Sequence, residues 1–354
     1  MNSPENQASM TFSIITPSYN QLDWLRRCVA SVRDQVGEKA AGTENSQSSG
    51  LQAGIPALAV EHIIQDAGTP GIEDFAREIG ADFYRDGELI FEGRESKDES
   101  RGTRSTVGEA GESGDNVSTL DSRPYRIAIY RESDSGMYNA INRGLARASG
   151  ELCAYLNCDE QYLPDALPAM ASWFQDHPAR AVCFADALVV DPQNNLIAYR
   201  RSVIPQRLHT MVSGNLAVLT CSTFFRRSVV AERRLTFPDN YRVIGDAVWI
   251  LELLEAEIPM GLFPLATSAF VDTGENLALS SIGRAEGDRL AMQAPRLARS
   301  FRAAIVWHYR FRKYLAGAYR KRSISHQLYD SDTNLRRKYS TDDGGGIWTG
   351  RTES

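Results

Sequence analysis

YRESDSGMYNAINRGLARASGELCAYLNCDEQY, residues 130–162, holds a helix, a strand and a polar cluster in an order that decides the fold. From Met137 to Ala148, the residues Met137, Ile141, Leu145 and Ala148 recur three or four apart, so one apolar stripe can face a core. Asn139, Asn142, Arg143 and Arg147 face elsewhere, and Gly150 is expected to end the helix. Glu151 to Leu156 is a short apolar run of strand length, as expected for a strand covered on both faces. It stops at Asn157-Cys158-Asp159-Glu160. An open α/β sheet receives ligands in the crevice beyond the carboxyl ends of its strands, and carboxylates there suit a hard divalent cation. A solvated acidic turn has the same spelling.

The stretch resembles glycosyltransferase family 2, whose members show E-x-D-x-G-[IM]-Y-D-A-[MI]-N-[KR]-G, then A-x-G, then a strand ending L-N-x-D-[DE]. Glu132, Asp134, Gly136, Met137, Tyr138, Ala140, Asn142, Arg143 and Gly144 match, followed by Ala148, Gly150, Leu156, Asn157, Asp159 and Glu160. The resemblance implies a GT-A type, Rossmann-like α/β fold with a mixed, mostly parallel sheet flanked by helices. It also implies an inverting enzyme that uses a nucleoside diphosphate sugar. It extends over about residues 11–275 and is strongest at 130–162.

Outward from this stretch, Thr11–Ile15 reads as a strand broken at Thr16-Pro17-Ser18-Tyr19-Asn20, and Leu22, Leu25, Val29 and Val32 mark the helix that follows. No glycine-rich phosphate loop stands at this turn. In the resembled family a P-x-[YF]-N loop lines the nucleotide pocket, which gives that role to Pro17, Tyr19 and Asn20. Ala59–Gln65 is a second strand, ending in Asp66, the residue that the resemblance assigns to the base. His62 lies within that strand and reads as structural.

Further on, Leu219–Arg227 resembles the family's H-Q-x-T-F-F-[RK]-[RK] segment, with Cys221 where a histidine is frequent. Phe224 and Phe225 are better taken as core. Phe237–Trp249 resembles the segment bearing the catalytic base, and Asp246 is the matching acid. Val248, Leu251 and Leu254 supply a helical stripe that leaves Asp246 in its first turn, where the helix dipole favours a carboxylate.

The chain has 354 residues, 42% hydrophobic and 24% charged, ample for a sizeable core. A formal charge of -6 argues against a protein that coats nucleic acid. No run of about 18 apolar residues exists, and the N-terminus lacks the features of a secretory signal, so a cytoplasmic protein is expected. Cys28, Cys153, Cys158, Cys183 and Cys221 are scattered and read as buried free thiols.

The expected organisation is a flexible 1–10, a catalytic domain over 11–283, a basic helical extension over 284–330 and a disordered tail over 331–354. Polar, low-complexity insertions occupy about 37–57 and 93–123. Between Arg289 and Tyr329 no acid interrupts a run of arginines interleaved with Phe301, Trp307, Tyr309, Phe311 and Tyr314. Such a segment can lie on an anionic membrane surface. A helix that packs across the catalytic domain, or that pairs two copies in a homo-oligomer, has the same pattern.

The resulting expectation is sugar transfer from a nucleoside diphosphate sugar to a hydroxyl of a glycan or lipid-linked acceptor, in surface polysaccharide or glycan assembly. Asp159 would hold Mg²⁺ or Mn²⁺, with Asn157 beside it on a ribose hydroxyl, and Asp246 would take the acceptor proton. Pro17, Tyr19, Asn20, Asp66, Gly136 and Asn142 would hold the nucleotide sugar, with Asp134 and Arg143 bracing the site. A catalytically inactive nucleotide-sugar or membrane-surface binding module is the alternative, since Asn157 replaces an aspartate that many relatives carry. A sugar nucleotidyltransferase should show the phosphate loop that is missing.

Overall fold

The computed structural model describes residues 10–36, 58–93, 124–213, 216–274, 277, 280–333 and 335–344. The expected flexible N-terminus before Met10, the whole of the first insertion, all of the second except Gly93, and residues 345–354 lie outside the described residues.

One eleven-stranded sheet forms the body. Its strands are β1 (Met10–Ser18), β2 (Leu58–Asp66), β3 (Asp82–Arg85), β4 (Glu88–Phe91), β5 (Tyr125–Arg131), β6 (Leu152–Tyr155), β7 (Gln161–Tyr162), β8 (Val182–Val190), β9 (Leu196–Arg200), β10 (Thr223–Arg226) and β11 (Met260–Val271). The helices are α1 (Leu22–Arg33), α2 (Ile72–Ile79), α3 (Met137–Arg147), α4 (Ala166–Asp176), α5 (Arg207–Ser213), α6 (Ser228–Ala231), α7 (Gly245–Glu255), α8 (Ser281–Met292), α9 (Arg296–Ser300) and α10 (Arg302–Leu315). A separate hairpin of β12 (Arg322–Leu328) and β13 (Arg337–Gly344) follows.

Spatial order is β4-β3-β5-β2-β1-β6-β10-β8-β11-β7, with β9 on β8. Strands β3, β5, β2, β1 and β6 run parallel, as do β8 and β11, while β10 enters antiparallel between β6 and β8. This is the mixed, mostly parallel α/β architecture expected. The run in β1 is almost wholly buried because both faces are covered, and alternate residues feed different cores. Ile15, Cys153 and Tyr155 point to the core under α3 and α7, whereas Phe12, Ile14, Leu152 and Ala154 point to the one under α1 and α4.

Gly150 does not end α3. The helix closes at Arg147 with Ala148 as its cap, and Gly150 instead lets the chain cross β1, where an added Cβ would sit 2.6 Å from the Ser13 nitrogen. All five cysteines are buried and free, and Phe224 and Phe225 are core. His62 is fully buried between Thr16 Oγ1 at 2.9 Å and the Tyr125 hydroxyl at 3.1 Å.

The extension departs from the reading of 284–330 as helix followed by a disordered tail. Helix ends at Leu315, and the chain then pairs β12 with β13, so residues 337–344 are strand. Leu328 enters the core beside Leu188, Val190 and Tyr199. Arg336 donates to Asp34 Oδ1 at 2.8 Å and to the Tyr162 carbonyl at 2.8 Å, which binds the hairpin to the body. Helix α10 is anchored on its inner side by Tyr309 and by buried Lys313, whose ammonium donates to the Arg201 carbonyl.

Candidate active site

A cleft of about 920 Å³ opens beyond the carboxyl ends of β1, β2, β5, β6 and β11. Each strand delivers a polar turn to it because the parallel ladder ends at one edge. Strand β1 brings Pro17, Ser18 and Tyr19, the last 63% exposed. The turn after β5 brings Ser133, Asp134 and Gly136, with the Gly136 amide donating to Asp134 Oδ1 at 2.9 Å. Partial burial raises the Asp134 carboxyl above its ordinary range.

The turn after β6 places Asn157, Cys158, Asp159 and Glu160 on the floor. Glu160 folds back, its Oε2 accepting from the Asn157 amide at 2.8 Å, and is itself buried. Desolvation, and after it the neighbouring Asp159 charge, push Glu160 up to about 8. Desolvation raises Asp159 as well. None of the ion pairs among the described residues involves Asp159, Glu160 or Asp246.

Opposite them, Asp246 stands in the first turn of α7 and lines the same cleft. Its Oδ1 accepts from the Ala247 amide at 2.8 Å and lies 3.3 Å from the Tyr138 hydroxyl. One side of the residue remains open to the cleft, but protein walls surround the carboxyl, and desolvation holds it at about 6. The loop before it rests on an aromatic stack in which Phe237 lies 4.4 Å from Trp249 and edge-on to Tyr155 at 5.2 Å. Gly245 is required there, since a Cβ would come within 2.6 Å of the Tyr138 ring.

Four residues expected to touch the nucleotide sugar do not line this cleft. Asn142 clamps the Phe237 backbone, its amide donating to the carbonyl at 2.6 Å and its Oδ1 accepting from the nitrogen at 3.0 Å. Arg143 donates to the Ser133 carbonyl at 2.8 Å, on the outer side of that turn. Asp66 is fully buried, and its Oδ1 accepts from the Gly68 and Thr69 amides at 2.9 and 2.8 Å, so it shapes the loop while Ala67 faces the cleft. Asn20 has φ of 55° and donates its amide to Thr69 Oγ1 at 2.9 Å, tying the first two loops together. Pro17, Tyr19, Asp134, Gly136, Asn157, Asp159 and Asp246 do share the cleft.

Sequence reasoning missed the far wall. Arg242, Val243, Asp272, Gly287 and Leu290 line it. Asp272 follows β11, and an acid just past a buried strand is the signal that Asp66 and Asp159 also carry. Bulges between Phe263 and Ala266, and between Ala266 and Ser268, break the alternation that would have revealed that strand.

The residues fit a hard divalent cation in part. Asp159 offers a desolvated carboxylate without an ion-pair partner, and buried Asn157 Oδ1 has no hydrogen-bond partner. Among the described residues no three His, Cys, Asp or Glu side chains group closely enough to hold a metal by themselves. A cation here would need phosphate oxygens and water to complete its shell, as Mg²⁺ commonly does.

A polar, acid-lined crevice at the carboxyl edge of a parallel sheet defines an α/β ligand-binding protein. Residues 111–233, about a third of the chain, match the family described as Glycosyl transferase family 2. It is 31% identical over 65 residues to a "PGL/p-HBAD biosynthesis glycosyltransferase" of Mycobacterium bovis (strain BCG / Pasteur 1173P2), and equally to its counterpart in Mycobacterium tuberculosis (strain ATCC 25177 / H37Ra). The matched part is 18% of this chain and 25% of each relative, so the chain spans a quarter of their length. Among solved structures, S. aureus TarS 1-349 in complex with UDP-GlcNAc aligns with TM-score 0.48 and 13% identity, over 86% of this chain and 73% of that one. The mannosyltransferase PcManGT from Pyrobaculum calidifontis, in complex with GDP-Man and Mn²⁺, aligns with TM-score 0.44 and 12% identity, over 87% and 73%.

Proposed function

We propose that the chain transfers a sugar from a nucleoside diphosphate sugar to an acceptor hydroxyl with inversion at the anomeric carbon. The observation that supports this best is that Asp159 and Asp246, on different elements, line one cleft large enough for such a donor. In a single displacement the acceptor oxygen bonds to the anomeric carbon as the bond to the diphosphate breaks on the opposite face. The acceptor proton passes to Asp246, whose affinity near pH 6 suits a base that is mostly ionised at neutral pH. A divalent cation, when bound through Asp159 with Asn157 beside it, supplies charge neutralisation to the departing diphosphate. Tyr19 offers an exposed ring to a base, and Asp134 with the Gly136 turn borders the place for the sugar.

We assign the outer face of α10 to an anionic membrane surface and the protein to the cytoplasmic side, with a glycan or lipid-linked acceptor. Trp307, Phe311 and Leu315 follow one another at i, i+4 spacing and are 67, 44 and 67% exposed, opposite the inward Tyr309 and Lys313. The segment 289–329 carries arginines and no acid, which suits anionic headgroups. Two copies meeting face to face here would set arginine against arginine. Among the described residues no helix is long and apolar enough to cross a membrane.

The deciding experiment measures nucleoside diphosphate release from UDP-glucose, UDP-N-acetylglucosamine and GDP-mannose with Mn²⁺, for wild type and Asp246→Ala. Turnover by wild type alone is expected. Donor binding with no turnover by either protein would favour the binding module.

A further inference from the structure

Glu286 lies on α8, outside the segment that matches the family, yet its carboxylate accepts three consecutive backbone amides of the loop leading to Asp246. Oε1 takes the Arg242 N–H at 2.8 Å, and Oε2 takes those of Val243 at 3.0 Å and Ile244 at 3.2 Å. These amides belong to the approach to α7, where backbone donors have no intrahelical partner. One turn further along α8, the Arg289 guanidinium lies 4.6 Å from the Tyr241 ring centre, so a single helix holds the loop at two points.

What the loop carries makes that grip consequential. The Val243 carbonyl accepts from the Tyr138 hydroxyl at 2.9 Å, and the same hydroxyl lies 3.3 Å from Asp246 Oδ1. A chain of contacts therefore runs from Glu286 through Val243 and Tyr138 to Asp246. An ionised acceptor shared by three amides is worth more than neutral bonds of the same length.

We propose that Glu286 is a positioning residue for Asp246, and that α8 sets the register of the loop that presents the base. The inference rests on the reading of Asp246 as base and adds to it a requirement for the C-terminal helices. Neither an acceptor nor a donor needs to touch Glu286. Its effect is exerted through the 242–244 backbone. Desolvation raises Asp246, and the Ala247 amide of α7 and the Tyr138 hydroxyl from α3 act against it, while Glu160 from the loop after β6 and Tyr155 on β6 feel its charge.

The test compares wild type, Glu286→Ala, Glu286→Gln and Asp246→Asn for nucleoside diphosphate release from whichever of the three donors wild type consumes. UDP and GDP binding are followed in parallel by calorimetry. In Glu286→Ala, kcat is expected to fall about ten- to hundredfold, the cost of displacing a reacting group slightly, with nucleotide affinity unchanged. The acid limb of its pH profile should move upward, because a loosened Tyr138 no longer favours the charged carboxylate. Glu286→Gln keeps the shape and one acceptor oxygen, so it should recover part of the rate. A Glu286→Ala protein with wild-type kcat and acid limb, beside an inactive Asp246→Asn, overturns the proposal and leaves the base assignment standing. Loss confined to KM or to melting temperature, with kcat intact in Glu286→Ala, also overturns it. If Asp246→Asn is as active as wild type, both ideas fall together.

Discussion

The Tyr138 hydroxyl donates to the Val243 carbonyl at 2.9 Å and stands 3.3 Å from Asp246 Oδ1, so one phenol on α3 spans the loop backbone and the carboxylate it presents. The Tyr138 proton partly offsets the desolvation that raises Asp246 to about 6. Replacing Tyr138 with Phe should therefore move the acid limb of kcat/KM above pH 6, with a smaller change on the alkaline side. An unchanged limb would disconnect the two residues.

Asp246→Asn should lower kcat by about a hundredfold or more, the usual worth of a general base. The same change should stabilise the protein. A carboxyl that binds its proton more tightly when folded makes stability fall as pH rises from its unfolded value, about 3.9, towards 6, and the penalty persists above. Removing it should recover on the order of 1 kcal/mol at pH 7.5 after allowance for the open side of the site, seen as a higher melting temperature.

Asp159→Asn should remove the enhancement of UDP or GDP binding by Mn²⁺. Calorimetry with and without EDTA is expected to show wild type losing about tenfold in affinity, or about 1.4 kcal/mol, when the metal is removed, and the variant losing little. Equal metal dependence in both proteins would move the cation elsewhere.

Gly245→Ala should cost about 1 to 3 kcal/mol, the range for overpacking a filled core, because the new methyl would press on the Tyr138 ring 2.6 Å away. Chemical denaturation measures this. Reduced stability with a displaced acid limb would tie the clash to the site, whereas wild-type stability would mean the loop can move aside.

The double change Trp307→Ser and Phe311→Ser should lower cosedimentation with phosphatidylglycerol vesicles about tenfold or more while leaving donor consumption in solution intact. Added salt should weaken the wild-type interaction. Vesicle binding that ignores both treatments would reject α10 as the contact.

Much of this was legible along the chain because the parallel strands are apolar runs that stop at chemistry. Pro17, Asp134, Asn157 and Asp159 all sit where such a run ends, and Asp246 sits where a helical stripe begins. What failed to show was long-range pairing. Asn142 and Asp66 belong to the same motifs as the cleft residues, but Asn142 is engaged by the Phe237 backbone and Asp66 Oδ1 by the 68–69 amides. No local period distinguishes an amide turned towards backbone from one turned towards ligand. Strand β12 does alternate, with Ile324, His326 and Leu328 turned inwards, yet the surrounding arginines give the segment the composition of a basic helix. Strand β13 has too few apolar residues to announce itself.

The hairpin also reaches the floor of the cleft. Gln161, next to Glu160, is buried and grips Tyr329 twice, its Nε2 donating to the carbonyl at 2.9 Å and its Oε1 accepting from the nitrogen at 2.8 Å. A protein cut short after Gly317 would lose that strut together with Arg336, and the acidic turn would be left resting on an unfilled gap. Trimming these final residues in the hope of a tidier catalytic fragment should instead yield one that opens from beneath.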